Sequence, residues 1–147
     1  MVAGIADLCR RFEGFRAVPY VCPAGVATIG YGATCYLDGR PVKLTDRPIS
    51  LEVGEVMLIK MIRDIYLPGA NRLCPNLPEQ AQIAAGDFAF NLGLARLAGS
   101  TLRRRLLVRD WPAAITELRK WVRGGGRVLP GLVLRREAEI AILSQLL

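Results

Sequence analysis

The sequence predicts an α+β fold, in which a small N-terminal β-hairpin lobe is joined by a long helix to a larger helical lobe. Alternating β-branched and aromatic residues flank a Pro-Ala-Gly turn at residues 23–25, as in a hairpin. After residue 50, apolar residues recur at helical spacing between Gly and Pro breaks. We expect one domain with a cleft between its lobes: residues 1–147 in all, the catalytic β lobe at about 13–50, the connecting helix at about 51–66 and the helical lobe at about 76–147.

Composition and charge limit the possible classes of protein. The 147 residues are 52% hydrophobic and 22% charged, as expected of one globular domain with its own core. No run of 18 apolar residues is present, so we expect no membrane insertion, and charge appears too early at the N-terminus for a signal peptide or signal anchor. The net charge of +7 suits nucleic acid, an anionic membrane or an anionic cell wall. Its local clusters, Arg103–Arg105 and Arg135–Arg136, are expected on a solvated surface.

The four cysteines, at positions 9, 22, 35 and 74, are expected to be free thiols, although disulfide pairing stays open. No pair has zinc-ligand spacing and histidine is absent, which excludes the usual parts of a zinc site, a Ser-His triad and a Cys-His dyad. We therefore expect no metal and no cofactor.

The N-terminal segment predicts a short helix that ends at a carboxylate. Residues 2–12 are amphipathic, and Gly14 is a suitable stop just after Glu13. Phe12 and Phe15 flank that carboxylate, and apolar neighbours would favour the protonated form that a general acid needs. On position alone, an ordinary exposed glutamate is the alternative.

Two hairpins are predicted next. Residues 17–32 form the first, and Gly30 and Gly32 indicate a bulge or a close approach to the backbone. Residues 37–40 form the turn of the second, with strands starting at Cys35 and returning at residues 41–44. No further β structure is expected.

Five helical segments follow. Ser50 caps the connecting helix, which Pro68-Gly69 should end. In the helical lobe, helices are predicted at residues 79–92, 101–107, from Asp110 to about Val122, and 132–146, separated by Gly93, Gly99 and residues 124–126.

The hairpin carries a specific motif: Glu13, eight residues, Cys22, five residues, Thr28, within a Gly-rich and aromatic context that ends in Thr-Ile-Gly-Tyr-Gly. This resembles the active-site region of phage-type lysozymes, glycoside hydrolase family 24, whose pattern is Glu, eight residues, Asp or Cys, five residues, Thr. Residues 88–93, 100–102 and the C-terminal run also resemble family elements, so the resemblance covers nearly the whole chain.

The resemblance implies a muramidase that hydrolyses the β-1,4 bond between N-acetylmuramic acid and N-acetylglucosamine in peptidoglycan, for host cell lysis. It implies that Glu13 protonates the leaving oxygen, while Cys22 and Thr28 hold a water on the opposite face of the sugar, with inversion. By the same resemblance, the residues expected to contact substrate are Gly30, Phe90, Asn91 and Thr101.

Cys22 stands where many relatives have Asp. A thiol is a poor base at its ordinary pKa, and we expect the Glu13 carboxylate to raise the pKa of Cys22 further. We therefore interpret Cys22 as a residue that positions water; a thiolate base or a nucleophile is the alternative.

The expected partner is peptidoglycan rather than nucleic acid, and the protein is expected to be a monomer. We expect it to stay in the host cytoplasm until release and then to act on the cell wall. A lytic transglycosylase, which would make an anhydro product, and a non-enzymatic cationic binder of wall or nucleic acid are the alternatives.

Overall fold

The computed structural model describes residues 1–147 as an α+β fold, which confirms the predicted class. A helix and a two-stranded sheet form the N-terminal part: α1 (Val2–Glu13), β1 (Arg16–Val21) and β2 (Ala27–Gly30). A helical stretch from residue 51 to residue 73 leads to the rest of the chain. That remainder contains α4 (Glu79–Leu92), α5 (Leu94–Ala98), α6 (Thr101–Leu107), α7 (Trp111–Leu118), β3 (Arg123–Gly124), β4 (Arg127–Val128), α8 (Pro130–Leu143) and a 3₁₀ turn (Ser144–Leu146).

The first hairpin forms as predicted. Strands β1 and β2 are antiparallel, with Tyr20 opposite Thr28 and a bulge further down the ladder. The turn is closed by two backbone hydrogen bonds, from Gly25 N to Cys22 O at 2.8 Å and from Cys22 N to Val26 O at 3.0 Å. This turn fixes the positions of Cys22 and Thr28 relative to each other.

For the second hairpin, the predicted turn is confirmed but the predicted strands are wrong. Residues 37–40 do turn, and Gly39 N donates to Tyr36 O at 2.9 Å. Only one isolated bridge, Cys35 to Pro41, takes the place of paired strands. Pro41 has no N–H to donate and the following residues turn again, so a regular ladder cannot extend.

The connecting helix begins as predicted and ends later. Ser50 caps α2 (Leu51–Met61), with its Oγ accepting from Val53 N at 3.2 Å. The helix then passes through a π-helical turn (Ile62–Tyr66) into α3 (Leu67–Leu73), so the prediction that Pro68-Gly69 ends it is wrong. In an α-helix the Pro68 ring would clash with a carbonyl one turn back. The π turn changes the hydrogen-bond register immediately before it and places Pro68 in the first turn of α3.

The helical lobe contains the predicted helices, with three differences: α5 is an additional short helix, α8 begins two residues earlier than expected and passes into a 3₁₀ turn, and the helix near residue 120 is shorter. The helix capped by Asp110 ends at Leu118 rather than at Val122, because residues 119–121 form tight turns and the Trp121 ring packs edge-on against Phe88, with centroids 5.2 Å apart. Strands β3 and β4 then form a second small sheet, which was not expected. Gly125 and Gly126 both have positive φ and supply its two-residue turn.

The main core lies in the helical lobe, where α4 is surrounded by its neighbours and Phe88 is fully buried. A second cluster joins α1 to the connecting helix through Ile5, Leu58 and Ile62. A third lies under the hairpin lobe. Because α1 packs on both α4 and α8, its C-terminal end is held where the lobes meet. No helix is long and apolar enough to cross a membrane.

Candidate active site

Glu13 is the last residue of α1 and lies at the wall of an open depression of about 250 Å³. Gly14 follows with φ 70°, which lets the chain leave the helix abruptly and turn into β1. The Glu13 side chain is 25% exposed, so its carboxylate can meet a ligand from solvent. The depression is also lined by Phe12, Asn91, Leu129, Gly131, Leu132 and Arg135.

The carboxylate of Glu13 is paired with a buried arginine. Arg135 Nη1 donates to Glu13 Oε1, and the Arg135 side chain is only 3% exposed. The expectation that apolar side chains enclose Glu13 is therefore wrong in this respect, because α8 brings a cation to it. Phe12 does lie near, with its ring centroid 5.7 Å from the Arg135 guanidinium carbon. The expected solvated position of Arg135 and Arg136 is also wrong, since both residues are buried.

Asp87 is the second acceptor for Arg135. Its two carboxylate oxygens accept from Arg135 Nε at 2.9 Å and Nη2 at 2.8 Å, and the Asp87 side chain is fully buried in α4. Burial alone would lower the pKa of Arg135, but hydrogen bonds and charge from Asp87 and Glu13 outweigh it and raise that pKa. Arg135 therefore stays charged and bridges α1 and α4 to α8.

Cys9 lies next to this ion-paired group. Its Sγ donates to Asp87 Oδ1 at 3.6 Å. Burial first, and the negative charge of Asp87 second, raise the pKa of Cys9 above the usual thiol range. Cys9 is therefore a neutral thiol that packs in the interior, as free buried cysteines usually are.

Cys22 and Thr28 come together on the hairpin. Thr28 is buried and its hydroxyl donates to Val26 O at 2.9 Å, while Cys22 is half-buried. The expected direction of the Cys22 pKa is wrong. The backbone N–H of Val26 first, and the neighbouring Thr28 hydroxyl second, lower the pKa of Cys22. The turn places donors at the sulfur that the spacing of the motif does not reveal.

The hairpin and the connecting helix both reach the Glu13 side of the molecule. A Cβ on Gly32 would lie 4.0 Å from Glu13 Oε2. Burial raises the pKa of Tyr20 on β1, and the charge of Arg16 opposes this effect. The charges of Glu13 and Cys22 raise the pKa of Tyr20 further. The pKa of Tyr66, in the π-helical turn, is also raised, first by burial and then by the charges of Glu13 and Cys9. The charge of Glu13 therefore acts on phenols from two elements.

The residues predicted to contact substrate are not all brought together. Asn91 shares the depression with Glu13, and its Oδ1 accepts from Arg136 Nη2 at 2.9 Å. Phe90 is half-buried and packs on the Tyr66 ring, with centroids 4.9 Å apart. Gly30 is buried with φ 66°, and a Cβ there would face Ile49. Thr101 lies apart on α6, where its hydroxyl accepts from Arg104 at 2.8 Å.

Another depression, of about 260 Å³, lies between the loop at residues 35–39 and the connecting helix. It is mainly apolar, and its two charged residues, Lys60 and Asp64, pair with each other at 3.4 Å. Glu13 is not among its lining residues. No group of three or more His, Cys, Asp or Glu side chains is placed to hold a metal ion.

The phage lysozyme family matches residues 10–139, which include Glu13, the hairpin, Asp87 and Arg135. The chain belongs to the phage lysozyme family. As a member it is a peptidoglycan hydrolase of the muramidase type, as the resemblance led us to expect. An endolysin of Acyrthosiphon pisum secondary endosymbiont phage 1 is 34% identical over 141 residues, covering 93% of this chain and 92% of the relative.

Solved structures give the same result. The endolysin from Escherichia coli O157:H7 phage FAHEc1 has a TM-score of 0.81 at 25% identity, covering 95% of this chain and 90% of the other. The muramidase domain of SpmX from Asticaccaulis excentricus has a TM-score of 0.79, also at 25% identity, covering 96% and 94%. The lysozyme-like architecture of the chain is thereby confirmed.

Arg135 and Asp87 are the residues of this site that the sequence analysis missed. The sequence does contain an indication that Asp87 is buried. Asp87 lies three residues after Ala84, and therefore on the same side of the predicted helix, among small and aromatic residues. A carboxylate on a buried helix face needs a buried partner. The sequence does not say which of the twenty basic residues supplies it.

Proposed function

We propose that Glu13 is the general acid of the muramidase reaction and protonates the oxygen of the scissile β-1,4 bond. Its position supports the proposal, since a part-exposed carboxylate at a helix end faces an open depression and is held by a buried arginine. Proton transfer requires the donor within hydrogen-bond reach of the leaving oxygen, so a fixed carboxyl orientation is favourable. Arg135 holds the carboxylate in that orientation through the hydrogen bond from its Nη1.

Cys22 and Thr28 are proposed to hold the attacking water. In an inverting glycosidase, the acid and the group that activates water stand on opposite sides of the sugar, with room for the water between them. Cys22 is half-buried on the hairpin, so part of its side chain can be reached by such a water. Thr28 contributes by holding the turn, because its hydroxyl is bonded to Val26 O.

Asn91 and Phe90 are proposed to contact the sugar chain beside Glu13. Asn91 presents an amide at the wall of the same depression, oriented by Arg136, and Phe90 presents a half-buried ring stacked on Tyr66. Contacts of Gly30 and Thr101 with substrate remain predictions, as do the lobe boundaries. Action as a monomer and cytoplasmic accumulation before release are further predictions, which sedimentation of the purified protein and fractionation of host cells would test.

The test is release of reducing ends from purified peptidoglycan by the wild-type enzyme and by Glu13→Gln. The amide has the same shape but cannot donate the proton, and general acid catalysis contributes about 10²–10⁴-fold. We expect the variant to lose at least about 99% of the rate while its melting temperature stays close to that of wild type. Mass spectrometry of the products should show one water added per cleavage. A folded Glu13→Gln protein with more than about a tenth of the wild-type rate would remove Glu13 from this role.

A further inference from the structure

Arg135 divides its donors between two carboxylates that lie on different helices. The edge formed by Nε and Nη2 binds both oxygens of Asp87 on α4, and the remaining nitrogen, Nη1, binds Glu13 at the end of α1. Two parallel hydrogen bonds fix the plane of a guanidinium in a way that a single bond cannot. The direction in which Nη1 points at Glu13 is therefore set by Asp87.

We propose that Asp87 is a positioning residue for the catalytic acid, acting through Arg135 to hold Glu13 in place and to offset the positive charge that faces it. The proposal rests on the role of Glu13 given above. A guanidinium paired with one carboxylate alone strongly favours the ionised form of that carboxylate. A second, buried carboxylate on the same guanidinium offsets part of its positive charge, so that charge acts less strongly on Glu13.

The charged and titratable groups around Asp87 come from two helices besides its own. Cys9 on α1 is a neutral thiol that donates to it, and Arg135 on α8 is the cation it binds. Glu139, also on α8, is fully buried, and Arg136 Nη2 donates to its Oε1 at 2.8 Å. Glu13 itself is bound by Arg135, and its charge also acts on Cys9, Tyr20 and Tyr66.

Glu139 is the group that could replace the charge of Asp87. Burial is the main cause that raises the pKa of Glu139 well above its ordinary value, and the charge of Arg136 opposes it. Interaction with Asp87 raises the pKa of Glu139 further. No donor reaches Oε2 of Glu139. Removing the charge of Asp87 would ease ionisation of Glu139, so the experiment must keep Glu139 neutral.

The experiment compares Glu139→Gln with the double variant Asp87→Asn/Glu139→Gln, and measures kcat/KM against pH together with the titration of the ¹³C-labelled Glu13 carboxyl. Loss of the negative charge eases ionisation of Glu13, so its protonated form is lost at a lower pH. We expect the alkaline limb of the activity profile and the carboxyl titration to move together toward acid by on the order of one pH unit. Asp87→Ser/Glu139→Gln repeats the test with a smaller neutral side chain.

The charge-matched control is Glu79→Gln. Glu79 lies in the first turn of α4, 63% exposed, and pairs only with the N-terminal amino group at 3.0 Å. This substitution removes one negative charge from the same helix without touching Arg135, and its pH profile should not move.

A uniform fall in rate with no shift in either titration would overturn the proposal. Failure of both Asp87 variants to fold would also overturn it, because either result would mean that Asp87 has only a structural role. If Glu13→Gln keeps its activity, the role of Glu13 fails whatever the Asp87 profiles show. If Glu13→Gln is inactive and the Asp87 profiles do not move, only the positioning role fails.

Discussion

Replacing Arg135 with methionine is expected to destabilise the fold strongly, because it removes the cation from a buried ion pair. Arg135 is 3% exposed and its partner Asp87 is fully buried. Breaking such a pair from one side costs about 3–5 kcal/mol, since the other charge is left without compensation. For a chain of this length each kcal/mol lowers the melting temperature by about 2–4 °C. The expected fall is therefore about 6–20 °C.

Thermal melting followed by far-ultraviolet circular dichroism at pH 7 measures this effect. The matched control is Arg119→Met, which breaks the surface pair between Arg119 and Glu137. Those side chains are 56% and 51% exposed and 3.4 Å apart, and exposed pairs of this kind contribute about 0–1 kcal/mol. If Arg135→Met melts within about 4 °C of Arg119→Met, the ion pair does not stabilise the junction of α1, α4 and α8 as we infer.

Three other changes test separate parts of the structure. Cys22→Ser should keep appreciable activity if Cys22 only positions water. A thiolate base would instead give the wild-type pH–rate profile a limb that rises with pH below the ordinary thiol pKa and that is absent in the variant. Ser100→Ala should cost about 1 kcal/mol, because Ser100 Oγ accepts from Arg103 N at 3.0 Å and caps α6; an unchanged denaturant midpoint would contradict this. Glu55→Gln should destabilise more at pH 7 than at pH 3, because the hydrogen bond from Arg10 lowers the pKa of Glu55, so its stabilisation is fully present above the ordinary carboxyl pKa and is lost as pH falls through the lowered pKa. Equal losses in melting temperature at both pH values would refute the last assignment.

Local sequence was sufficient wherever a feature depends on neighbouring residues. Ser50 caps α2, Gly14 and Gly93 end α1 and α4, and the turn at residues 23–25 closes the first hairpin, all as predicted. Capping bonds and turns form within four or five residues, so their chemistry can be read from a short window. The Gly125-Gly126 hairpin belongs to the same class, and its two-residue signal was present but not used.

Predictions failed where packing outweighed a local preference. Pro68 should stop a helix, but the π-helical turn before it adjusts the backbone, and the helix continues where Gly69 lets Leu94 approach closely. The helix from Asp110 should reach Val122, but the contact between Trp121 and Phe88 draws the chain out of helical geometry earlier. The contact between Trp121 and Phe88 joins residues more than thirty positions apart, which periodicity within one segment cannot detect.

The fold class and the motif that contains Glu13, Cys22 and Thr28 can be read from the amino-acid sequence, and the motif leads to the family. The surroundings of the Glu13 carboxylate, by contrast, depend on tertiary packing. Arg135 is 122 residues from Glu13 and 48 from Asp87, and these three side chains meet because α1, α4 and α8 pack at one point. A buried charge must find its partner in space rather than along the chain, so the charge that acts on Glu13 follows from packing and not from the motif.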